Sequence, residues 1–261
     1  MKTLIFIKRY IKYLLVAKNK HSAQSPFLYE FITKVLNGNS DDENCKIIER
    51  LRKELCQLNQ IIEITDFGAG SHVNNAKKRK VKDVAKNSSK NSKFGKLLYR
   101  IVQFYKPQNI LELGTSLGIS TLYLAKAEEA SKVHTFEGCL ETIKIAKQNF
   151  NNLDAKNITV TSGDFQNTLQ KKLKEITTID LAFIDGNHQE QPTIRYFKEC
   201  LKYANNDTIF IFDDIHWSKG MQNAWEHIKS DKKTTLTVDL FYLGIVFIKS
   251  ELSKEHYTIR F

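Results

Sequence analysis

The stretch Asn109-Ile-Leu-Glu-Leu-Gly-Thr-Ser-Leu-Gly-Ile-Ser-Thr121 decides how the rest of the sequence is interpreted. Its first residues are apolar enough for a buried strand, and two glycines four positions apart follow before a helical pattern begins near Gly118. A strand, a glycine turn and a helix N-terminus together form a nest in which backbone groups approach a ligand closely. The stretch therefore predicts a binding site for a nucleotide-like cofactor.

Strands and helices alternate regularly after this stretch. Strands, each followed by a helix, are predicted at residues 109–113, 132–136, 158–161, 179–184 and 208–212. Two further β-rich runs, 236–242 and 244–248, are too close together for an intervening helix and predict a hairpin. The pattern predicts an α/β fold with a doubly wound, Rossmann-like, mostly parallel sheet of seven strands that ends in a C-terminal antiparallel hairpin.

The α/β domain is predicted to occupy residues 93–261. Residues 1–76 precede it as a helical N-terminal extension or cap, and residues 77–92 join the two as a basic linker. A second glycine motif, Asp66-Phe-Gly-Ala-Gly-Ser71, is followed by asparagines and lysines rather than by a helical pattern. A phosphate-binding loop needs a helix N-terminus behind its glycines, so this motif is interpreted as a surface loop.

The net charge of +11 is concentrated in two segments. Residues 1–20 contain six basic residues and no acidic one, and residues 77–96 contain nine basic residues and a single aspartate. The rest of the chain is close to neutral, which argues against a surface that coats nucleic acid generally. The charge instead predicts two local basic patches.

The first basic segment has the pattern of an amphipathic helix. Its apolar and basic side chains fall on opposite faces, with Ile7, Tyr10, Ile11 and Leu14 on one and Lys8, Arg9 and Lys12 on the other. One interpretation is a helix that packs on the main domain or on a second subunit in a homodimer. The other is peripheral contact with an anionic membrane through residues 1–20.

Two features bear on the compartment. The basic residues interrupt the N-terminal apolar run, so it is too broken for a signal peptide or a membrane span. The four cysteines, Cys45, Cys56, Cys139 and Cys200, lie far apart and form no C-x-x-C pair. We therefore expect reduced thiols in a cytoplasmic protein and no zinc site.

Acidic residues follow the strands at the edge where a doubly wound sheet binds its ligands. Glu137 ends the second strand of the domain, 19 residues beyond Gly118. An acidic residue about 20 positions after the glycine turn can accept hydrogen bonds from ribose hydroxyls. Further acids follow the next three strands, at Asp164, at Asp185 and at Asp213-Asp214. Together these positions predict one site.

The residue just before the glycine turn separates two kinds of nucleotide ligand. Glu112 precedes the first glycine by two positions. A carboxylate beside the nest disfavours a pyrophosphate and favours a cationic ligand, such as an amino-acid ammonium or a sulfonium. The sequence also lacks the G-x-x-x-x-G-K-[ST] phosphate motif.

Residues from about 93 to 250 resemble class I S-adenosylmethionine-dependent methyltransferases. The resemblance is to the O-methyltransferase group that includes catechol O-methyltransferase and metal-dependent sugar O-methyltransferases. The motifs that carry it are Leu111-Glu-Leu-Gly-Thr-Ser-Leu-Gly-Ile-Ser120, Phe136-Glu137, Gly163-Asp164-Phe165, Phe183-Ile-Asp-Gly-Asn-His188 and Phe210-Ile-Phe-Asp-Asp214. Residues 1–92 are not covered.

The resemblance implies a cofactor site formed by Glu112, Gly114, Ser116, Gly118, Ser120, Glu137, Asp164, Phe165 and Asp185. Within it Glu137 would bind the ribose diol, while Asp164 and Phe165 would flank the adenine. Metal-dependent members hold one Mg²⁺ with carboxylates after these strands, and the matching residues are Asp185, Asp213 and Asp214. Strand-end acids that cap the next helix or contact cofactor without a metal are the alternative.

The implied reaction transfers the sulfonium methyl group to a hydroxyl of a small molecule or sugar. S-adenosylmethionine would be the cofactor and Mg²⁺ or a similar divalent cation would assist. Asp185 and His188 would be catalytic, with His188 as general base, and His216 and Trp217 would border the acceptor pocket.

Two other functions are consistent with the sequence. One is an RNA-modifying methyltransferase that uses the basic segments 1–20 and 77–96. Nucleic acid is the less favoured partner, because no aromatic residues are interleaved with the lysines of residues 77–93 to stack on bases. The other is a protein that binds the cofactor without catalysing a reaction.

Overall fold

The computed structural model describes residues 2–18, 25–39, 41–65, 77–88 and 91–261. The glycine motif Asp66–Ser71 lies outside the described residues. The chain divides into two compact units: Met1–Thr33 with Thr177–Phe261 form unit 1, and Lys34–Ile176 form unit 2.

Helices dominate the chain before the glycine turn. In order, the elements are α1 (Lys2–Val16), α2 (Pro26–Glu30, continued as a π-helix by Phe31–Leu36), α3 (Glu43–Leu55), β1 (Ile61–Glu63), β2 (Lys78–Lys80), α4 (Val81–Ser88) and α5 (Ser92–Tyr105). The strands β1 and β2 pair antiparallel as a separate two-stranded ribbon. No helix among the described residues is long and apolar enough to cross a bilayer.

From residue 109 the elements alternate as the sequence predicts. They are β3 (Asn109–Leu113), α6 (Ile119–Ala127), β4 (Lys132–Glu137), α7 (Leu140–Asn152), β5 (Ile158–Ser162), α8 (Phe165–Ile176), β6 (Ile179–Ile184), α9 (Glu190–Leu201), β7 (Ala204–Asp213), α10 (Lys219–Ser230), β8 (Leu236–Asp239), β9 (Leu243–Phe247) and β10 (Glu255–Thr258). Pro192 lies in the first turn of α9, two positions after the helix begins at Glu190, where it removes no intrahelical hydrogen bond.

The main sheet has the strand order β10-β8-β9-β7-β6-β3-β4-β5. The strand β9 is antiparallel to both β7 and β8, which confirms the predicted hairpin. The pairs β10–β8, β6–β7, β3–β4 and β4–β5 are parallel. The predicted Rossmann-like fold is confirmed, but the count of seven strands is wrong. The eighth strand is β10, which pairs with β8 and buries Tyr257.

Residues 77–92 were predicted as a linker, and the structure contradicts this. The ribbon strand β2 and the helix α4 occupy residues 78–88. Val81, Val84 and Ala85 of α4 are buried in an apolar cluster of unit 2 that includes Ile48 of α3. These three residues have the i, i+3, i+4 spacing of a helix face. Because lysines surround them in the sequence, the composition of the segment predicts a solvated linker and does not reveal this buried face.

The helix α1 packs on unit 1 through a different face from the one the sequence indicates. Its inner face is formed by Phe6, Arg9 and Tyr13, and Tyr13 is buried. Ile7 and Ile11, which the packing interpretation placed on the packed face, are exposed instead. The aromatic rings and the arginine therefore direct the packing of this helix, and the aliphatic residues do not.

The close approach of α5 and α6 depends on Gly95. A Cβ atom at this position would lie 2.2 Å from Cε2 of Tyr123, whose hydroxyl donates to Glu49 Oε1 at 2.9 Å. We expect Gly95→Ala to lower the free energy of unfolding by about 1–3 kcal/mol, since overpacking forces side chains from their rotamers. Urea denaturation of the full chain measures the change.

The matched control is Gly220→Ala in α10. There the nearest atom to an added Cβ would be 3.5 Å away, so alanine should leave stability unchanged or raise it by up to ~1 kcal/mol through its helix propensity. Equal losses in the two variants would contradict the packing argument.

Candidate functional site

The predicted glycine turn is present between β3 and α6. Gly114, Ser116 and Gly118 all have positive φ angles, of 108°, 48° and 84°. Gly118 also admits the close approach of α7, because a Cβ atom there would lie 2.4 Å from Phe150 Cε1. Among the described residues, no side chain caps the N-terminus of α6. The turn thus has the strand, glycines and uncapped helix start that a cofactor nest requires.

Glu112 lies beneath this turn and is fully buried. Its carboxylate accepts hydrogen bonds from Ser120 Oγ at 2.6 Å, Thr121 Oγ1 at 2.5 Å and Thr135 Oγ1 at 2.6 Å. Burial raises the pKa of Glu112, and the three hydroxyl donors act in the opposite direction. Since no part of Glu112 faces solvent, its geometry indicates that it braces the turn, which differs from the direct contact with a cation that the sequence suggests.

The hydroxyl of Thr135 connects this carboxylate to the turn. It donates to Glu112, so the 2.6 Å contact with Thr115 Oγ1 has Thr115 as the donor. We expect Thr135→Val to cost about 1–3 kcal/mol of unfolding free energy, because it leaves a buried hydroxyl and a buried carboxylate each short of a partner. Thermal or urea denaturation tests this, with the exposed strand residue Thr159→Val as a control that should change little; matching losses would refute the expectation.

Glu137 is held at the end of β4 by two backbone donors. Its Oε2 accepts from Ser116 N at 2.8 Å, and its Oε1 accepts from Cys139 N at 2.9 Å. The first bond joins the carboxylate to the glycine turn. Carboxylate oxygens accept more than one hydrogen bond each, so this geometry is compatible with ribose hydroxyls as additional donors.

Asp164 and Phe165 follow β5 on the same side of unit 2. Gly163, with a φ angle of 127°, donates from its N–H to the Glu137 carbonyl oxygen at 2.9 Å and so brings this loop to the end of β4. Asp164 Oδ1 accepts from Gln166 N at 2.9 Å, and the half-buried Phe165 ring meets Phe136 edge-on at 6.4 Å. Unit 2 therefore brings all the predicted cofactor residues together except Asp185.

Asp185 belongs to a cluster in unit 1. Asp185 follows β6, His188 lies in the turn after it, and Asp213 ends β7; one ligand atom from each lies within 4.8 Å of the others. His188 Nε2 is 3.7 Å from Asp185 Oδ1. Asp214, predicted as a metal ligand, is not in this cluster and has a φ angle of 55°. The structure thus groups an imidazole with two of the three predicted carboxylates.

The turn that carries His188 has an unusual backbone. Asn187 and His188 have φ angles of 69° and 39°, which bring the imidazole back toward Asp185. Asn187 Nδ2 donates to Tyr196 Oη at 3.3 Å, whereas Asn187 Oδ1 is buried and accepts no hydrogen bond from the described residues. An imidazole with two carboxylates, next to an unsatisfied oxygen in the same turn, is a donor set that fits a divalent cation.

His216 and Trp217 lie in the loop after β7. His216 Nε2 contacts Asp239 Oδ2 at 2.7 Å, and the ring stacks on Phe241 with centroids 5.1 Å apart. Gln222 Nε2 is 3.4 Å from the other ring nitrogen. His216 is therefore held by neighbours in unit 1. Its predicted place at the border of an acceptor pocket stays a prediction.

Comparison with known proteins is consistent with this geometry. Residues 111–215 match the family described as a methyltransferase domain. A catechol O-methyltransferase of Niastella koreensis is 27% identical over 124 residues, which cover 46% of this chain and 55% of that enzyme. The chain thus spans about half the length of this curated relative.

Solved structures share the fold at low sequence identity. A methyltransferase of Podospora anserina with SAH bound superposes with a TM-score of 0.61 at 14% identity, over 86% of this chain and 97% of that one. An O-methyltransferase of Bacillus cereus in complex with SAH superposes with a TM-score of 0.56 at 19% identity, over 84% of this chain and 96% of that one. The fold is that of the class I S-adenosylmethionine-dependent methyltransferases. The prediction of a class I S-adenosylmethionine-dependent methyltransferase is confirmed.

Proposed function

We propose that the protein is an S-adenosylmethionine-dependent O-methyltransferase that acts on a hydroxyl of a small molecule or sugar with the help of a divalent cation. The observation that carries the proposal is the Glu137 carboxylate, which two backbone N–H groups hold against the glycine turn within a methyltransferase domain. The relative from Niastella koreensis is named a catechol O-methyltransferase, which supports a hydroxyl as the acceptor.

The roles in cofactor binding follow from the positions in unit 2. Glu137 binds the ribose diol, Gly114 and Gly118 let the backbone approach the methionine end, and Asp164 with Phe165 flanks the adenine. The hydroxyl of Ser120 donates to Glu112, so Ser120 shapes the turn from below, and Ser116 contributes the N–H that fixes Glu137. When bound, the cofactor supplies an electrophilic methyl group on its sulfonium.

The divalent cation is proposed to bind Asp185, His188 and Asp213. This set replaces the predicted Asp214 with an imidazole nitrogen, which favours a transition metal such as Mn²⁺ more than an all-oxygen set would. When bound, the cation lowers the pKa of the acceptor hydroxyl and orients it. Asp185 and Asp213 position the acceptor oxygen through their fixed places at the ends of β6 and β7.

His188 has two proposed roles, metal ligand and general base, and one ring nitrogen cannot perform both. A general base takes the proton of the acceptor hydroxyl on a ring nitrogen that is not engaged with a metal. If His188 is a ligand, His188→Gln weakens Mn²⁺ binding, as measured by calorimetry. If it is the base, metal affinity is retained while kcat falls.

The proposed activity is tested by methyl transfer from labelled cofactor into the small-molecule fraction of a cell lysate, with the product identified by mass. A labelled product of low molecular mass is the expected result. Cofactor binding by calorimetry without transfer to any acceptor would instead support a binding protein.

The RNA alternative is tested in the same reactions. Label in RNA, together with an RNA affinity that falls steeply as salt increases, would replace the small-molecule proposal. An RNA affinity too weak to measure at low salt would eliminate the alternative.

A further inference from the structure

The outward side of α1 is an apolar surface that the described part of the chain leaves exposed. Its outer face consists of Leu4, Ile7, Ile11 and Leu15, which recur at helical spacing and lie opposite the packed residues Phe6 and Tyr13. Leu4 is 59% exposed, Ile11 51% and Leu15 81%. Single exposed apolar residues are common, but a row of them along a helix marks an interaction surface.

The helix is fixed to unit 1, so this exposure is a property of the folded protein. Arg9 Nη1 donates to the carbonyl oxygens of His216 and Trp217 at 3.0 and 3.1 Å. Tyr13 Oη donates to the Ile259 carbonyl oxygen at 2.6 Å, and the Phe6 ring meets Phe241 edge-on at 5.2 Å. These contacts orient α1 so that its outer face points away from the unit.

Positive charge accompanies the outer face. Lys8 and Lys12 are exposed beside it, and residues 2–18 contain no acidic residue. At the C-terminal end of the helix, Lys18 bridges to Ile259, and the exposed Arg260 follows. The surface therefore combines aliphatic side chains with positive charges that no acidic residue of α1 offsets.

Two exposed aromatic side chains lie at the N-terminal end of the helix, beside its packed residue Phe6. Trp217 is 40% exposed and Tyr242 is 39% exposed, and their rings contact Phe6 with centroids 5.7 and 6.1 Å away. Tryptophan and tyrosine are enriched at membrane–water interfaces, because each ring has an apolar body and a polar group.

We propose that the outer face of α1 binds the surface of an anionic lipid bilayer, with the helix axis in the plane of the interface. The aliphatic row enters the boundary between headgroups and acyl chains, while Lys8 and Lys12 pair with lipid phosphates. A second copy of the chain fits this surface less well, because two such faces would bring lysines together with no acidic residue from α1 to pair with them. The proposal does not depend on the methyltransferase activity.

The test uses the purified full chain in flotation with vesicles of phosphatidylcholine alone and of phosphatidylcholine mixed with phosphatidylglycerol. Binding to the mixed vesicles only, weakened by added salt, is the expected result. Absence of binding to the anionic vesicles would overturn the proposal.

Variants locate the binding surface. Ile11→Gln with Leu15→Gln should reduce the partition coefficient at least ~10-fold, because two apolar side chains no longer enter the membrane. Lys8→Gln with Lys12→Gln should reduce it about fivefold per lysine at low salt. The matched control is Leu140→Gln on α7, where leucine is 63% exposed and the change should have no effect.

Two further results would overturn the assignment. Equal losses for Leu140→Gln and the α1 variants would show that the outer face is not the site. A dimer in light scattering that Ile11→Gln with Leu15→Gln dissociates would assign the face to a second copy of the chain. Circular dichroism of each variant confirms that these exposed substitutions leave the helix folded.

Discussion

Glu137→Gln should weaken cofactor binding about 100-fold while leaving the protein folded. The carboxylate accepts from Ser116 N and Cys139 N and, in the proposed complex, from the ribose hydroxyls. Hydrogen bonds to a charged acceptor contribute about 1.5–3 kcal/mol each. The amide has one oxygen for these donors and turns an NH₂ group toward one of them, so at least one bond of the set is lost. Calorimetric titration with S-adenosylmethionine measures the change.

The matched control is Glu141→Gln in the first turn of α7. Glu141 pairs with Lys144 at the surface through Oε1 at 2.5 Å, and such surface pairs contribute little to stability. The same change of charge four residues from Glu137 should therefore leave cofactor affinity unaltered. An unchanged affinity in Glu137→Gln, or the same loss in both variants, would refute the assignment of Glu137 to the ribose.

The glycine turn and the position of Glu137 beside it could be predicted because their signals are local in sequence. Gly114 and Gly118 sit where the backbone needs positive φ, and Glu137 lies at the end of the next strand in a spacing that the βαβ unit sets. The bracing role of Glu112 could not be predicted in the same way. That role depends on the parallel register that pairs Glu112 with Thr135. The sequence of neither strand alone determines the register between them.

The grouping of Asp185, His188 and Asp213 differs from the predicted metal ligands, for a reason that lies in the backbone. Successive residues of a strand point their side chains to opposite faces of the sheet. The side chains of Asp213 and Asp214 therefore do not both point toward Asp185, and the sequence alone does not show which of them does. His188 enters the cluster only because two consecutive residues adopt positive φ, which neither Asn187 nor His188 requires. A sequence motif therefore identifies the loops that carry the acidic residues, but it does not identify which side chains lie close together.

The helices outside the methyltransferase motifs show a related difficulty. In α1 the sequence offers two competing faces, and the structure buries the aromatic one because Phe6 and Tyr13 find partners in unit 1. In α4 the apolar residues Val81 and Val84 lie among lysines, so their burial could be predicted only if the packing partner α3 were known. Amphipathic patterns predict that a helix has a packed face, but the partner decides which one.

Asp213→Asn should abolish the response to divalent cations and reduce methyl transfer at least ~100-fold. Asp213 is buried at the end of β7 within 4.8 Å of ligand atoms of Asp185 and His188. An amide removes a negative charge from the donor set, and loss even of supporting residues around a metal costs about 10–100-fold in affinity or activity. Mn²⁺ titration by calorimetry and methyl transfer with and without EDTA measure both effects.

The thermal stability of the same variant gives a readout that does not depend on turnover. A bound cation stabilises the folded state by mass action, so Mn²⁺ should raise the Tm of the original protein and leave that of Asp213→Asn unchanged. Without metal the variant should be as stable or more stable, because two carboxylates held close together repel each other. Asp207→Asn, an exposed position earlier on β7, is the control that should keep the Mn²⁺ response. Turnover in Asp213→Asn equal to the original protein, with EDTA and without, would show that the cluster serves another purpose.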